Sequence, residues 1–221
     1  MNIFWLLEDM QDYEGNAKLL MDQHVVKMAL EAIQVAYAVL YALDATYLIQ
    51  EAPIVVNKKG EQQHGYKVTH KNHPITLWAG KCKANLLATL NHARAISNEY
   101  TVRYKKVHSV HKHIEWFFSI IDRIPFSEEQ KIMKMTIPPA CIPDEYKSNK
   151  PIALQYLDMY IHEKLKKARY YHTNPPFIFK KYLKASQYTR AKKKSIAKKI
   201  KPILTKSKAI KKIVKRTQIK V

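Results

Sequence analysis

Three polar side chains with complementary chemistry interrupt an apolar helical pattern near the start of the chain. His24, Lys27 and Glu31 stand at positions i, i+3 and i+7, which places them on one side of an α-helix. An imidazole, an amine and a carboxylate on a partly buried stripe form either a structural ion-pair cluster or a reaction centre. The simpler interpretation is a salt bridge between Lys27 and Glu31, with His24 at the edge of the core.

The segment that carries these residues predicts one long helix over roughly residues 16–43, with Asn16 as a candidate cap. Before it, residues 3–7 are apolar and aromatic, and they predict a buried strand or extended segment. The apolar positions of the helix recur at helical spacing and predict its buried side: Leu20, Val25, Met28, Ala29, Ala32, Val35, Ala36, Val39, Leu40 and Leu43.

The rest of the chain predicts a mainly α fold. Further helices are expected over about residues 75–104, 107–121 and 151–172, and Ser127 is a candidate cap for another. Residues 44–68 lose the helical period, and the apolar run that begins at Pro53 predicts a small hairpin that closes at residues 66–68. The hydrophobic fraction of 47% is enough for a packed core. We therefore expect a single compact helical domain over residues 1–182 and a basic C-terminal tail over residues 183–221.

The positive charge of the chain is concentrated near its carboxyl end. Residues 180–221 contain 17 Lys or Arg and no acidic residue, whereas residues 1–179 contain 22 basic and 18 acidic residues, a net charge of +4. Such a polycation favours DNA or RNA, because contact with phosphates releases counterions. An anionic membrane surface is the competing partner for the lysines and isoleucines of the tail. A merely solvated tail is the third interpretation.

The composition disfavours several other classes of protein. Cys82 and Cys141 form neither a ligand cluster nor a disulfide framework, so a reduced, intracellular protein is expected. The sequence has no run of about 18 uninterrupted apolar residues, so no membrane span is predicted. Residues 1–9 lack the features of a signal peptide. His70 and His73 have a spacing that can suit a metal, but no carboxylate or cysteine close in sequence completes the set. We therefore expect no metal and no cofactor.

Three short motifs, spread over residues 1–182, are similar to those of a known family. The first is Asp22-Gln23-His24, followed after seven residues by Glu31. The second is Ile-Pro-Asp-Glu over residues 142–145, with Glu-Lys at 163–164, and the third is Asn-Pro-Pro-Phe over 174–177 with Lys-Lys-Tyr at 180–182. These motifs resemble the small all-helical pyrimidine-dimer DNA glycosylases with AP-lyase activity, of the phage endonuclease V type. The opening residues and the segment 69–74 also resemble a group of phage and viral proteins.

The resemblance implies Schiff-base chemistry. In that family an N-terminal α-amine attacks C1′ of the damaged nucleotide's sugar, and a carboxylate, here Glu31, assists ring opening and β-elimination. An α-amine is partly unprotonated at neutral pH because its pKa is about 8. The family's N-terminal threonine corresponds to Asn2, whose size normally leaves Met1 in place. The amine is therefore that of Met1 or, alternatively, a desolvated Lys27. Ile3 and Leu30 stand where the family has basic residues.

The sequence thus predicts a glycosylase or AP-lyase-like enzyme that acts on damaged or modified DNA, with Glu31, Lys27 and Met1 as its catalytic residues. One alternative is a non-catalytic nucleic-acid-binding protein that keeps the fold without the nucleophile. Another is a metal-dependent hydrolase that uses His24, His70 and His73. The expected contacts with DNA or RNA, in a helical cleft and along the tail, are His24, His70, Lys71, His73, Lys180, Lys181, Lys192, Lys193 and Lys194.

Overall fold

A computed structural model describes residues 2–57 and 59–189, and it confirms the mainly α fold. A two-stranded hairpin joins the helices, and a π-helical turn (Tyr160–Lys164) with a 3₁₀ turn (Leu165–Lys167) continues the seventh helix. The elements are α1 (Tyr13–Leu19), α2 (Asp22–Ala42), β1 (Ile54–Val56), β2 (Gln62–His64), α3 (Pro74–Gly80), α4 (Lys83–Tyr104), α5 (His111–Ile120), α6 (Glu128–Ile132), α7 (Ile152–Met159) and α8 (Phe177–Lys180).

Helix α2 is the central helix, and it packs against α3 and α4. The positions from Val25 to Leu40 that the helical period predicted to be buried are buried, whereas the predicted position Leu43 is only partly buried. By length and composition alone α2 could also cross a membrane, although 61% of the relevant window is buried inside the protein. The core helix of a soluble protein has the same properties, so this observation does not distinguish the two.

The predicted single helix over residues 16–43 is wrong at its start. Leu20 and Met21 are extended, with ψ values of 139° and 158°, so that α1 ends and α2 begins anew at Asp22. The backbone N–H of Met21 donates to the Tyr160 hydroxyl at 2.9 Å, and that of Asp22 donates to the Arg169 carbonyl at 2.8 Å. Because distant residues accept these hydrogen bonds, the chain can leave the helix at this point.

We had expected Asn16 to cap a helix, but it lies buried within α1. Its amide accepts the Leu6 N–H at 2.6 Å and donates to the Phe4 carbonyl at 2.7 Å. These bonds satisfy the Leu6 N–H and the Phe4 carbonyl within residues 3–6, which are buried and belong to neither a helix nor a sheet. The expected burial is thus confirmed for residues 3–6, but the segment forms no strand.

Three other helices are shorter than predicted. The expected helix over 75–104 divides into α3 and α4 because Cys82 is extended, with φ −158° and ψ 161°. Helix α5 begins at His111, and α7 ends at Met159, where the π-helical turn takes over.

The predicted turn chemistry is correct in two places. Ser127 and Gln130 form a capping box at the start of α6. The predicted hairpin is also present and pairs Ile54 with His64 in antiparallel register, but its second strand is residues 62–64 rather than the predicted 66–68.

Candidate functional site

The predicted trio lies at one open pocket between the N-terminal segment, α2 and the π-helical turn. The pocket, which we call the Glu31 pocket, has a volume of about 220 Å³. Helix α2 supplies one wall because its residues 24, 27, 28 and 31 recur at the helical period. Among the described residues, those that line the pocket are Asn2, Phe4, His24, Lys27, Met28, Glu31 and Lys164.

The Glu31 carboxylate joins the start of the chain to α2. Its Oε1 atom lies 2.7 Å from Lys27 Nζ, and its Oε2 atom accepts the backbone N–H of Asn2 at 3.1 Å. The Glu31 side chain is only 12% exposed. A largely buried carboxylate with two donors is held in one orientation and can accept a proton from a group placed in the pocket.

Asn2 is fixed by both of its side-chain amide atoms. Its Nδ2 donates to the Cys141 carbonyl at 2.8 Å, and its Oδ1 accepts the hydroxyl proton of Tyr156 at 2.7 Å. Tyr156 Oη in turn accepts the Cys141 N–H at 3.2 Å. These contacts connect residue 2 with positions 139 and 154 residues later, so no local pattern in the sequence could reveal them.

His24 is stacked in the pocket wall as a neutral ring. It lies parallel to Phe4, with ring centroids 4.7 Å apart and an angle of 4°, and meets Tyr160 edge-on at 5.3 Å. Burial, assisted by the positive charges of Lys164 and Lys27, lowers the pKa of His24 to about 3. Its buried Nδ1 has no hydrogen-bond partner within residues 2–57 and 59–189. At neutral pH the ring can therefore offer a hydrogen bond but no charge.

The two lysines of the pocket have different surroundings. Lys27 is 69% exposed and paired with Glu31, which is the salt bridge that the spacing predicted. A lysine becomes nucleophilic at neutral pH in an apolar or cationic environment, and the exposed, ion-paired Lys27 has neither. Lys164 comes from the π-helical turn, is partly buried, and has no carboxylate partner within the described part of the chain. Sequence reasoning did not single out Lys164 for a role, although it lies in one of the motifs quoted above.

The first two residues of the Asp22-Gln23-His24 motif have a structural role. Gln23 donates to the Lys167 carbonyl at 2.8 Å and accepts the Arg169 N–H at 3.0 Å. Asp22 accepts the N–H groups of Tyr171 and His172, at 2.6 and 3.2 Å. The first turn of α2 thereby anchors the segment 167–172, which follows the π-helical turn that carries Lys164.

The histidines before α3 form a second, smaller group. His73 caps α3 by accepting the Ile75 N–H at 3.2 Å, and its ring centroid lies 6.3 Å from that of His70. Burial and His70 lower the pKa of His73, while Glu31 acts in the opposite direction. His70 and Lys71 are exposed in the same turn. Across residues 2–57 and 59–189, no three His, Cys, Asp or Glu side chains form a metal-binding group.

Two other predicted contacts, Lys180 and Lys181, do not line the Glu31 pocket. Lys180 and Lys181 line an apolar groove of about 770 Å³, in which Phe177 is 92% exposed and Lys181 Nζ lies 4.9 Å from the Tyr182 ring centroid. Met1, Lys192, Lys193 and Lys194 lie outside the described residues. Residues 183–189 contact the domain, since the Gln187 side chain donates to the Leu165 and Ala168 carbonyls at 2.7 and 2.9 Å.

Comparison with known proteins gives no further assignment. The chain matches no protein-family model, no curated protein and no solved structure at a significant level. The case for a function therefore depends on the geometry of the Glu31 pocket and on the charge of the chain.

Proposed function

We propose that the protein processes damaged or modified DNA through an amine and a carboxylate that meet in the Glu31 pocket. The observation that carries this proposal is the 3.1 Å hydrogen bond from the Asn2 backbone nitrogen to Glu31 Oε2. An amine that precedes this nitrogen is three covalent bonds away and hence within about 4 Å of it. In a chain that begins at Met1, this preceding amine is the Met1 α-amine. In a chain trimmed to Asn2, the attacking amine would instead be the Asn2 nitrogen.

The reaction follows from the chemistry of these two groups. The amine attacks C1′ of an open-chain abasic sugar, water leaves, and an iminium ion forms. The Glu31 carboxylate removes a proton from C2′, and the electron pair of the C–H bond moves into the iminium to give an enamine. The enamine electrons then form the C2′–C3′ double bond and restore the iminium, while the C3′–O bond breaks with the phosphate as leaving group. Lys164 gives the pocket a positive charge for a flanking phosphate, whereas the charge of Lys27 is paired with Glu31. An unpaired or damaged nucleotide reaches such a pocket at the lowest unstacking cost.

Borohydride trapping on a duplex with one abasic site tests the proposal. We expect the full-length chain to form a covalent adduct, with the modified peptide at the N-terminus rather than at Lys27. Because the carboxylate removes the proton, Glu31→Gln should retain its affinity for DNA, but its rate of nicking should fall at least about 100-fold. Glu115→Gln is the matched control, since Glu115 is an exposed acid paired with Arg94 at 2.8 Å, outside the pocket.

Two outcomes separate this proposal from its alternatives. An adduct that maps to Lys27, and disappears in Lys27→Met, would move the amine to α2 while leaving the reaction class intact. Binding without any adduct would favour a non-catalytic nucleic-acid-binding protein. The exposed, ion-paired state of Lys27 and the basic residues 180–221 are the observations that support that second candidate.

A further inference from the structure

We propose that Tyr156 and Asn2 are positioning residues that hold the amino-terminal end of the chain against Glu31. The inference rests on the proposed function for its catalytic consequence, but the contacts behind it are independent of that function. Tyr156 donates its hydroxyl proton to Asn2 Oδ1 at 2.7 Å, while the Asn2 N–H reaches Glu31 at 3.1 Å. The phenol therefore acts on the carboxylate through one intervening residue.

Tyr156 is a rigid support for this contact. Its side chain is fully buried on α7, and its ring meets Phe4 edge-on, with centroids 5.9 Å apart and an angle of 87°. The hydroxyl oxygen also accepts the Cys141 N–H. Its proton is directed toward Asn2, because Asn2 Oδ1 lies at 2.7 Å and the other acceptor, the Pro139 carbonyl, lies at 3.4 Å. Burial raises the pKa of Tyr156 far above its usual value, so the hydroxyl keeps its proton at neutral pH.

The side chain of residue 2 must present one donor and one acceptor. Its Nδ2 faces the Cys141 carbonyl, and its Oδ1 faces the Tyr156 hydroxyl. Aspartate would place an oxygen against the carbonyl, and an aliphatic side chain would leave both partners unsatisfied. Asn2 stands where the family that the motifs resemble has an N-terminal threonine. The Asn2 amide holds the start of the chain in place, and this matters because misplacing an attacking amine by about 1 Å can slow a reaction about 100-fold.

Single-turnover trapping with saturating abasic duplex tests the inference in the full chain. We expect Tyr156→Phe and Asn2→Leu to slow adduct formation about 10- to 100-fold, with the Kd for the duplex changed less than about 2-fold. The double variant should be no slower than the slower single variant, because both substitutions break one chain of contacts. Tyr170→Phe is the control, since it removes an equally buried hydroxyl that bonds the Leu19 carbonyl at 3.0 Å outside the pocket.

A measurement that needs no activity keeps this inference separate from the proposed function. Amide hydrogen exchange of Asn2, followed by NMR, should show protection in the wild type and in Tyr170→Phe but not in Tyr156→Phe. That result would support the positioning role even if the wild type formed no adduct, which would count against the proposed function alone. Equal protection in all three chains, or a trapping rate in Tyr156→Phe equal to that of the wild type, would overturn the inference.

Discussion

Buried histidines make the fold sensitive to acid. Burial lowers the pKa of His92 to about 3 and that of His113, assisted by Lys112, to about 4; His24 is lowered similarly. In the unfolded chain these rings titrate at a pKa of about 6.5. Below that pH the unfolded state binds more protons than the folded state, so stability falls as the pH falls. Each such ring removes about 2 kcal/mol between pH 6.5 and pH 5.

His92 allows this effect to be tested. It is fully buried on α4 beside Trp5, and neither ring nitrogen has a hydrogen-bond partner within the described residues. We expect His92→Leu to be at least as stable as the wild type at pH 7, because an unsatisfied polar ring is removed. Between pH 7 and pH 5 it should lose about 2 kcal/mol less than the wild type in urea unfolding. An unchanged loss would show that His92 is not kept neutral by the fold.

At the scale of single residues, the sequence predicted only part of the Glu31 pocket. The spacing of His24, Lys27 and Glu31 placed the three side chains on one side of a helix, because a helix repeats every few residues. It could not reveal Asn2 or Tyr156 as partners, since the contact between them spans 154 residues and depends on how α7 packs.

Among the elements, α4 is joined to the first turn of α2 by a buried guanidinium. Arg103 lies 3.2 Å from Asp22 and 2.6 Å from Glu99, and it donates to the Leu20 and Lys18 carbonyls at 2.7 and 3.1 Å. Its side chain is 1% exposed. The break between α1 and α2 leaves carbonyls that Arg103 satisfies. The sequence did not predict the break, because its hydrogen-bonding partners lie far along the chain.

Removal of this guanidinium should be strongly destabilising. Arg103→Leu removes a buried charged donor from two carboxylates and two carbonyls, at a cost of about 3–5 kcal/mol in urea unfolding. Arg123→Leu is the matched control, because Arg123 pairs with Glu51 at 2.6 Å but is 49% exposed, so its loss should destabilise the protein far less. Equal losses in the two variants would contradict the structural role of Arg103.

At the scale of the whole molecule, the proposed contacts with DNA fall into two groups, the basic residues near the carboxyl end and the Glu31 pocket. Residues 190–221 contain 14 Lys or Arg, whereas the Glu31 pocket is built from residues 2–164. Truncation after Thr189 keeps the Gln187 contacts and removes those 14 charges. We expect weaker binding to undamaged duplex DNA and a flatter dependence on salt between about 50 and 200 mM, because fewer counterions are released.

The pocket provides the control for that truncation. With saturating abasic duplex, the truncated chain should form the borohydride adduct at the rate of the full chain, since the truncation leaves the pocket residues in place. An unchanged salt dependence would show that the tail takes no part in binding.

The mainly α fold was predictable because helical periodicity is local, whereas the tail's partner depends on groups outside the chain.

The Glu31 pocket also has a consequence for the order of events during synthesis. Its residues come from positions 2, 4, 24, 27, 28, 31 and 164, and the groups that bond the Asn2 side chain come from positions 141 and 156. A nascent chain that has emerged from the ribosome only as far as α6 contains Glu31 but lacks the groups that close the site around it. The pocket is therefore completed only after most of the polypeptide has been made, and shorter translation products lack it.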